Sequence, residues 1–287
     1  MSIDILQEKI RKTKSPIIVD LSLNLEQIPA HIREGKNETE AMDTYSRDLM
    51  IALKGKVPGV RFSFDQWALL GAVEILGKLT AFAAELGFYV LVDGPAILTP
   101  WAAERSCKLL SDEGMYHCDG LILCPYIGTD AVKPFVPYCK NGKSVFFVAR
   151  SANKSAVELQ DMMTGSRLVH IATADHVKRL GETVLGKCGY SQIGVVTAAT
   201  NANAVSGLRL KFKTTFLYVD GLDYPGGNGK NCSYGFDRLG HGCAIGVGPA
   251  ITAAWTAEGC DENNFAELAV QAAERIKSNI GRYVTIL

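Results

Sequence analysis

Three aspartates close otherwise apolar runs: Asp20 in PIIVDL (16–21), Asp93 in FYVLVD (88–93) and Asp220 in TFLYVD (215–220). A strand that stays apolar to its end and then turns acidic delivers a carboxylate to the rim of the core it builds. Carboxylates gathered at one rim repel each other unless a cation or a shared proton compensates them. Arg61, in VPGVRFS (57–63), is the compensating charge the sequence offers. Crowding of this kind raises a carboxyl pKa and makes a proton-transfer group of an ordinary acid. Asp93 or Asp220 is the candidate for that role, and Asp93 with Arg61 is taken as the candidate catalytic pair. The same inspection of strand ends collects Asp20, Ser22, Tyr126, Arg150, Asn153, Asp220 and Asp223 as candidate ligand-binding residues. One such acid is as often a helix cap or a solvated loop residue. Three at equivalent positions are harder to dismiss.

The elements that must position these residues are eight short β-branched runs: 16–21, 57–63, 88–93, 120–125, 144–150, 192–198, 215–220 and 243–247. Most are continuously apolar rather than alternating, as expected of parallel strands covered on both faces. Helical patterns lie between them. Ala41, Tyr45, Leu49 and Ala52 share a stripe within 40–53, 67–86 is long and rich in Leu and Ala, and Phe265 to Ile280 keeps a 3.6-residue period. Eight βα units in 287 residues predict an α/β fold, a (β/α)8 TIM barrel forming a single domain over 1–287. Function in such a barrel lives at the C-terminal ends of the strands, where the candidate residues stand.

Composition narrows the partners. The 30 Lys+Arg balance 30 Asp+Glu, which argues against a nucleic-acid stripe or a polybasic membrane patch. No run approaches the roughly 20 apolar residues of a membrane helix. The first 16 residues read as an amphipathic surface helix without a secretory pattern, so a cytoplasmic protein is expected. The eight cysteines form no CxxC pair and read as buried thiols. His241 and Cys243 lack a third ligand, and GGNGK lacks the spacing of a phosphate loop. No metal and no cofactor are expected.

Longer segments carry a resemblance. CPYIGTDAVKPF (124–135) is similar to NPYLGxDxxxPF, and RSANKSAVELQDM (150–162) to RTSNPSAxELQDL. VVTAATNANAVSGLR (195–209) is similar to VVGATYPE-type segments, and VDGLDYPGGNGK (219–230) to VPGYGAQGGxGK. SPIIVDLSLNLEQIPAHI (15–32) matches SPxxVGLDPxLExxPxHI. Together they run nearly end to end and resemble the orotidine 5′-phosphate decarboxylase family, particularly its longer bacterial subtype. The resemblance implies a TIM barrel that decarboxylates orotidine monophosphate to UMP without a cofactor, as a homodimer with shared active sites. It also implies a Lys–Asp–Lys–Asp array in a dry pocket, with separate phosphate anchors.

Several of those functional positions differ here. The family's DxKxxD reads Asp93-Gly-Pro-Ala-Ile-Leu98, so Pro95 stands for the proton-donating Lys and Leu98 for the second Asp, with Ala102 at the following Thr. Arg61 replaces the strand-two Lys, keeping charge but changing donor geometry. Ser22 takes the place of a ribose-contacting Asp, Ala152 of the pyrimidine-reading Ser, Pro225 of a Gln, and Pro249 of the phosphate-gripping Arg. Loss of one preorganised donor commonly costs about 10²–10³ in rate. Asp220 and Asp223 add negative charge near the old phosphate end.

Three readings follow. The chain is a divergent barrel that binds or acts on a different, non-phosphorylated and possibly nucleoside-like small molecule. Alternatively it is a non-catalytic structural or regulatory paralogue, pairing with itself or with a family member. Or it is a genuine decarboxylase in which Arg61 or Lys154 has taken over. A barrel mouth filled by Leu98, Trp101 and Tyr224 would favour the second.

Overall fold

Parallel strands separated by helices can satisfy every backbone edge by closing on themselves, and these do. In the computed structural model, which describes residues 1–287, eight parallel strands form a closed barrel in sequence order. They are β1 (Ile17–Asp20), β2 (Gly59–Ser63), β3 (Tyr89–Asp93), β4 (Gly120–Leu123), β5 (Ser144–Val148), β6 (Ile193–Ala198), β7 (Leu217–Asp220) and β8 (Cys243–Val247). The expected (β/α)8 barrel is the observed architecture, and each predicted strand forms with its ends trimmed by up to two residues.

Strand parity explains where the charges go. Val60 and Phe62 of β2 face the outer core under the helices, whereas Ile18, Leu91 and Tyr218 face the barrel interior. Because side chains alternate across a strand, Asp20 follows Ile18 inward, Asp93 follows Leu91, and Asp220 follows Tyr218. Asp20 is in register with Arg61, and Ser63 with Asp93. The interior is thus apolar below and charged at its C-terminal rim.

The N-terminal segment departs from expectation. Helix α1 (Ser2–Thr13) is amphipathic, but it is not a surface helix: Ile3, Leu6 and Ile10 are fully buried in the same cluster as the barrel interior. Gln7 Oε1 accepts the Gly242 N–H at 3.0 Å, and Gln192 Oε1 accepts the Ile3 N–H at 2.9 Å. The Ser2 hydroxyl continues through Tyr89 to Ser144 in a chain of 2.6 Å hydrogen bonds. The helix closes the N-terminal end of the barrel.

Helix α2 (Glu38–Leu53) begins two residues before the predicted 40–53 span because Asn37 and Glu40 cap it reciprocally, each side chain accepting the other's backbone N–H at 3.0 Å. The predicted 67–86 helix is two helices, α3 (Phe64–Leu69) and α4 (Val73–Glu85). The break falls at Gly71, whose φ of 66° is left-handed and cannot continue a helix. Helices α5 (Val169–Gly181), α6 (Ala202–Lys211) and α7 (Phe265–Gly281) complete the outer layer used below. A short hairpin pairs Met163–Thr164 with Arg167–Leu168 ahead of α5. The cysteines also divide: five are buried and Cys188 is half-buried, but Cys124 and Cys260 are exposed, contrary to the buried-thiol expectation.

Candidate active site

Arg61 is the centre of the barrel mouth. Its side chain leaves β2 inside the barrel and bridges two other strands. Nη2 donates to Asp20 Oδ2 on β1, and Nη1 to Asp220 Oδ2 on β7 at 3.1 Å. The guanidinium lies 5.6 Å from the centroid of the Tyr218 ring, within cation–π reach. Asp20 Oδ1 accepts both the Ser22 N–H, at 3.0 Å, and its hydroxyl, at 2.7 Å. Burial alone would raise the Asp20 carboxyl, but Arg61 and Ser22 outweigh it and hold the pKa below the usual carboxylate range. Burial likewise disfavours the Arg61 cation, and the two aspartates reverse that, keeping it charged.

Asp93 behaves differently. No side-chain or backbone donor is aimed at it. Burial raises its pKa first of all; Arg61 pulls it down, Asp20 and Asp220 push it up, and the outcome is about 6. A carboxyl at that value exchanges a proton near neutrality, which is what a general acid or base requires. Asp223, in the loop after β7, turns toward backbone: its Oδ2 accepts the Gly248 N–H at 2.9 Å and the Ala250 N–H at 3.4 Å. Pro249 stands between those two amides.

Asp20, Ser22, Arg61, Asp220 and Asp223 line one cavity of about 380 Å³ with Tyr224 and Pro249, and Arg61 is its one cationic lining residue. Leu98, Trp101 and Tyr224 do not fill it: they are 78%, 65% and 51% exposed. Trp101 instead lies beneath the Arg105 guanidinium at 5.3 Å.

The catalytic candidate Asp93 is not among the residues lining this cavity, and neither are three predicted ligand residues. The Arg150 donors are committed, Nε and Nη2 to Asp161 at 3.0 Å and Nη1 to the Ser151 carbonyl at 3.1 Å. Asp161 also holds the buried His170, with Nδ1 3.1 Å from Oδ1. Asn153 accepts from the Ser151 hydroxyl at 2.6 Å. Tyr126 is exposed and lines a different cavity beyond β4 and β5. Tyr218, in contrast, was missed by inspection of strand ends, although its parity with Asp220 places it directly under the mouth. Its hydroxyl is buried without a protein partner, as is Arg61 Nε. Asn24 and Gln27 also line the cavity, from a capped turn of the form NxxQ that sequence inspection passed over. No group of three or more His, Cys, Asp or Glu side chains is arranged to hold a metal ion.

A closed parallel eight-stranded barrel with ionisable side chains gathered at the C-terminal strand ends defines a TIM-barrel protein. No family model matches the chain. It is similar to the orotidine 5′-phosphate decarboxylases of Caldicellulosiruptor saccharolyticus (27% identical over 304 residues, 98% of each chain) and Clostridium kluyveri (28% over 286 residues, 98% of this chain and 97% of the relative). Among solved structures, the orotidine 5′-monophosphate decarboxylase of Plasmodium berghei superposes with a TM-score of 0.77 at 13% identity, covering 98% of each chain. The OMP decarboxylase of Leishmania donovani gives 0.72 at 19%, covering 96% of this chain and 98% of its own. At those identities the structures speak for the fold alone. Over nearly its whole length the chain is thus similar to orotidine 5′-phosphate decarboxylases, at 27–28% identity to these two relatives.

Proposed function

We propose that this chain is a divergent member of its family, a poor catalyst of orotidine monophosphate decarboxylation, that binds or acts on a non-phosphorylated, nucleoside-sized molecule at the barrel mouth. The observation that carries this is the Asp223 carboxylate on the Gly248 and Ala250 amides. A phosphate brought to that corner would compete with a built-in anion for the same donors and would meet its charge. It would find Pro249 where the family resemblance expects an Arg. Asp220 adds a second carboxylate to the same cavity.

The proton-transfer side supports the same reading. Pro95 has no proton to deliver, and the cavity lining holds no Lys. Arg61 is a poor donor because a guanidinium keeps its proton above about pH 12, and its two terminal nitrogens are engaged by Asp20 and Asp220. Asp93 is left as the group able to exchange a proton, with Arg61 as its electrostatic partner. The net negative mouth suits a neutral or cationic ligand. Its openness supports ligand binding over a purely structural role. A dimer, with itself or a family member, and a cytoplasmic location belong to the same proposal; exposed Leu69, Leu98 and Trp101 are available for such pairing. No helix is long and apolar enough to cross a membrane.

The genuine-decarboxylase reading keeps one observation in its favour, the match to curated decarboxylases over 98% of the chain. The two separate by assay. Purified protein should show no loss of orotidine monophosphate absorbance above background and no rescue of a uracil auxotroph. Thermal-shift screening should instead find a non-phosphorylated ligand whose effect disappears in Asp93→Ala. Turnover of orotidine monophosphate, or hits confined to phosphorylated compounds, would overturn the proposal.

A further inference from the structure

The second cavity, beyond the ends of β4 and β5, has a character opposite to that of the charged mouth. It encloses about 490 Å³, inside the roughly 300–1,000 Å³ range of small-molecule sites. Val148, Leu159, Val169 and Ala172 supply apolar walls, and no Asp, Glu, Lys or Arg lines it. Its polar lining comes from Gln160, Thr164, Thr173 and the His176 ring, which is hydrogen-bonded at 2.7 Å to the Thr129 hydroxyl.

One wall comes from the segment 159–169, and this segment carries an independent signal. Leu159, Met162 and Met163, with Val157 just before them, are 49%, 52%, 63% and 55% exposed. Four large apolar side chains within seven residues are therefore exposed, Leu159 in the cavity wall and the other three beside it in sequence. Two are methionines, whose unbranched thioethers adapt to irregular apolar partners. The segment is held in place by the Arg150–Asp161–His170 cluster at its root. A buried ionic anchor fixes the wall while its apolar side chains stay uncovered.

We propose that this cavity is a binding site for an uncharged, apolar small molecule, distinct from the charged mouth. A concave space of this size, with no Asp, Glu, Lys or Arg in its lining and apolar walls from Val148, Leu159, Val169 and Ala172, favours a neutral aromatic or aliphatic group and disfavours any ion, which would be desolvated there without a partner. The site does not rest on the reading of Asp93, Arg61 or Asp223.

Titrating the full-length protein with the neutral fluorophore N-phenyl-1-naphthylamine should give saturable, blue-shifted emission at one site per chain. Ala172→Phe, which fills the cavity, should weaken it at least about tenfold, while Asp93→Asn leaves it unchanged. Cys124 lines the cavity and Cys260 does not, yet both are exposed, so they form an internal control. Saturating fluorophore should slow iodoacetamide alkylation of Cys124 but not of Cys260, read by peptide mass spectrometry. This measurement on the unaltered chain decides the matter if Ala172→Phe does not fold. Non-saturating emission, equal protection of both cysteines or of neither, undiminished affinity in a folded Ala172→Phe, or a response that scales with protein self-association would each overturn the proposal.

Discussion

Asp93 and Arg61 sit on adjacent strands and respond to the same burial in different ways. Arg61 has two carboxylate partners and stays charged; Asp93 has no such partner, and burial raises its pKa from the ordinary carboxylate range to about 6. The sign follows from linkage. A carboxyl whose folded pKa exceeds its unfolded value is destabilising when ionised, so the penalty is fully present above about pH 6 and disappears as pH falls toward 4. Asp93→Asn should therefore stabilise the protein by about 1–2 kcal/mol at pH 7, less than the full shift because the side chain retains solvent contact, and by little at pH 4. Urea midpoints at the two pH values check this; an equal gain at both would contradict it. Removing the cation has the opposite effect. Arg61→Met would leave Asp20 and Asp220 facing each other unpaired, at a cost of about 3 kcal/mol. Arg61→Lys should fall between, since one ammonium cannot reproduce the forked contact to both strands. Denaturant unfolding of the three proteins tests that order.

At the level of elements, α1 shows how far a local pattern can be trusted. Its alternation of apolar and charged residues is legible and correctly announces an amphipathic helix. Which surface receives the apolar face is not local information, and the receiving surface is the underside of the barrel. Leu6 is fully buried there, so Leu6→Ala should lower stability by about 2–5 kcal/mol, as for other large-to-small core changes. A surface helix would lose well under 1 kcal/mol by the same change, and thermal or chemical denaturation separates the two. The α3–α4 break teaches a similar point. Gly71 is visible in the sequence, but a lone glycine inside a helical pattern is tolerated as often as it terminates one. Here its positive φ makes it a stop.

At the scale of the whole molecule, the closed barrel converts eight separate strand ends into one rim, and the zero net charge conceals how unevenly that rim is charged. Around β1, β2 and β7 lie Asp20, Arg61 and Asp220; beyond β4 and β5 lies a cavity with no charged lining residue. The amino-acid sequence by itself determined the eight parallel strands and the placing of Asp20, Asp93 and Asp220 at their C-terminal ends, because continuous apolar runs are properties of consecutive residues. Only the tertiary structure decided that Arg61 joins Asp20 to Asp220, that Asp223 spends its carboxylate on the Gly248 and Ala250 amides, and that Arg150 is tied to Asp161 rather than facing the mouth. Those outcomes depend on distances between residues up to 159 positions apart. Hydrogen bonding and desolvation act through space, and the spacing between such residues exists only once the barrel has closed.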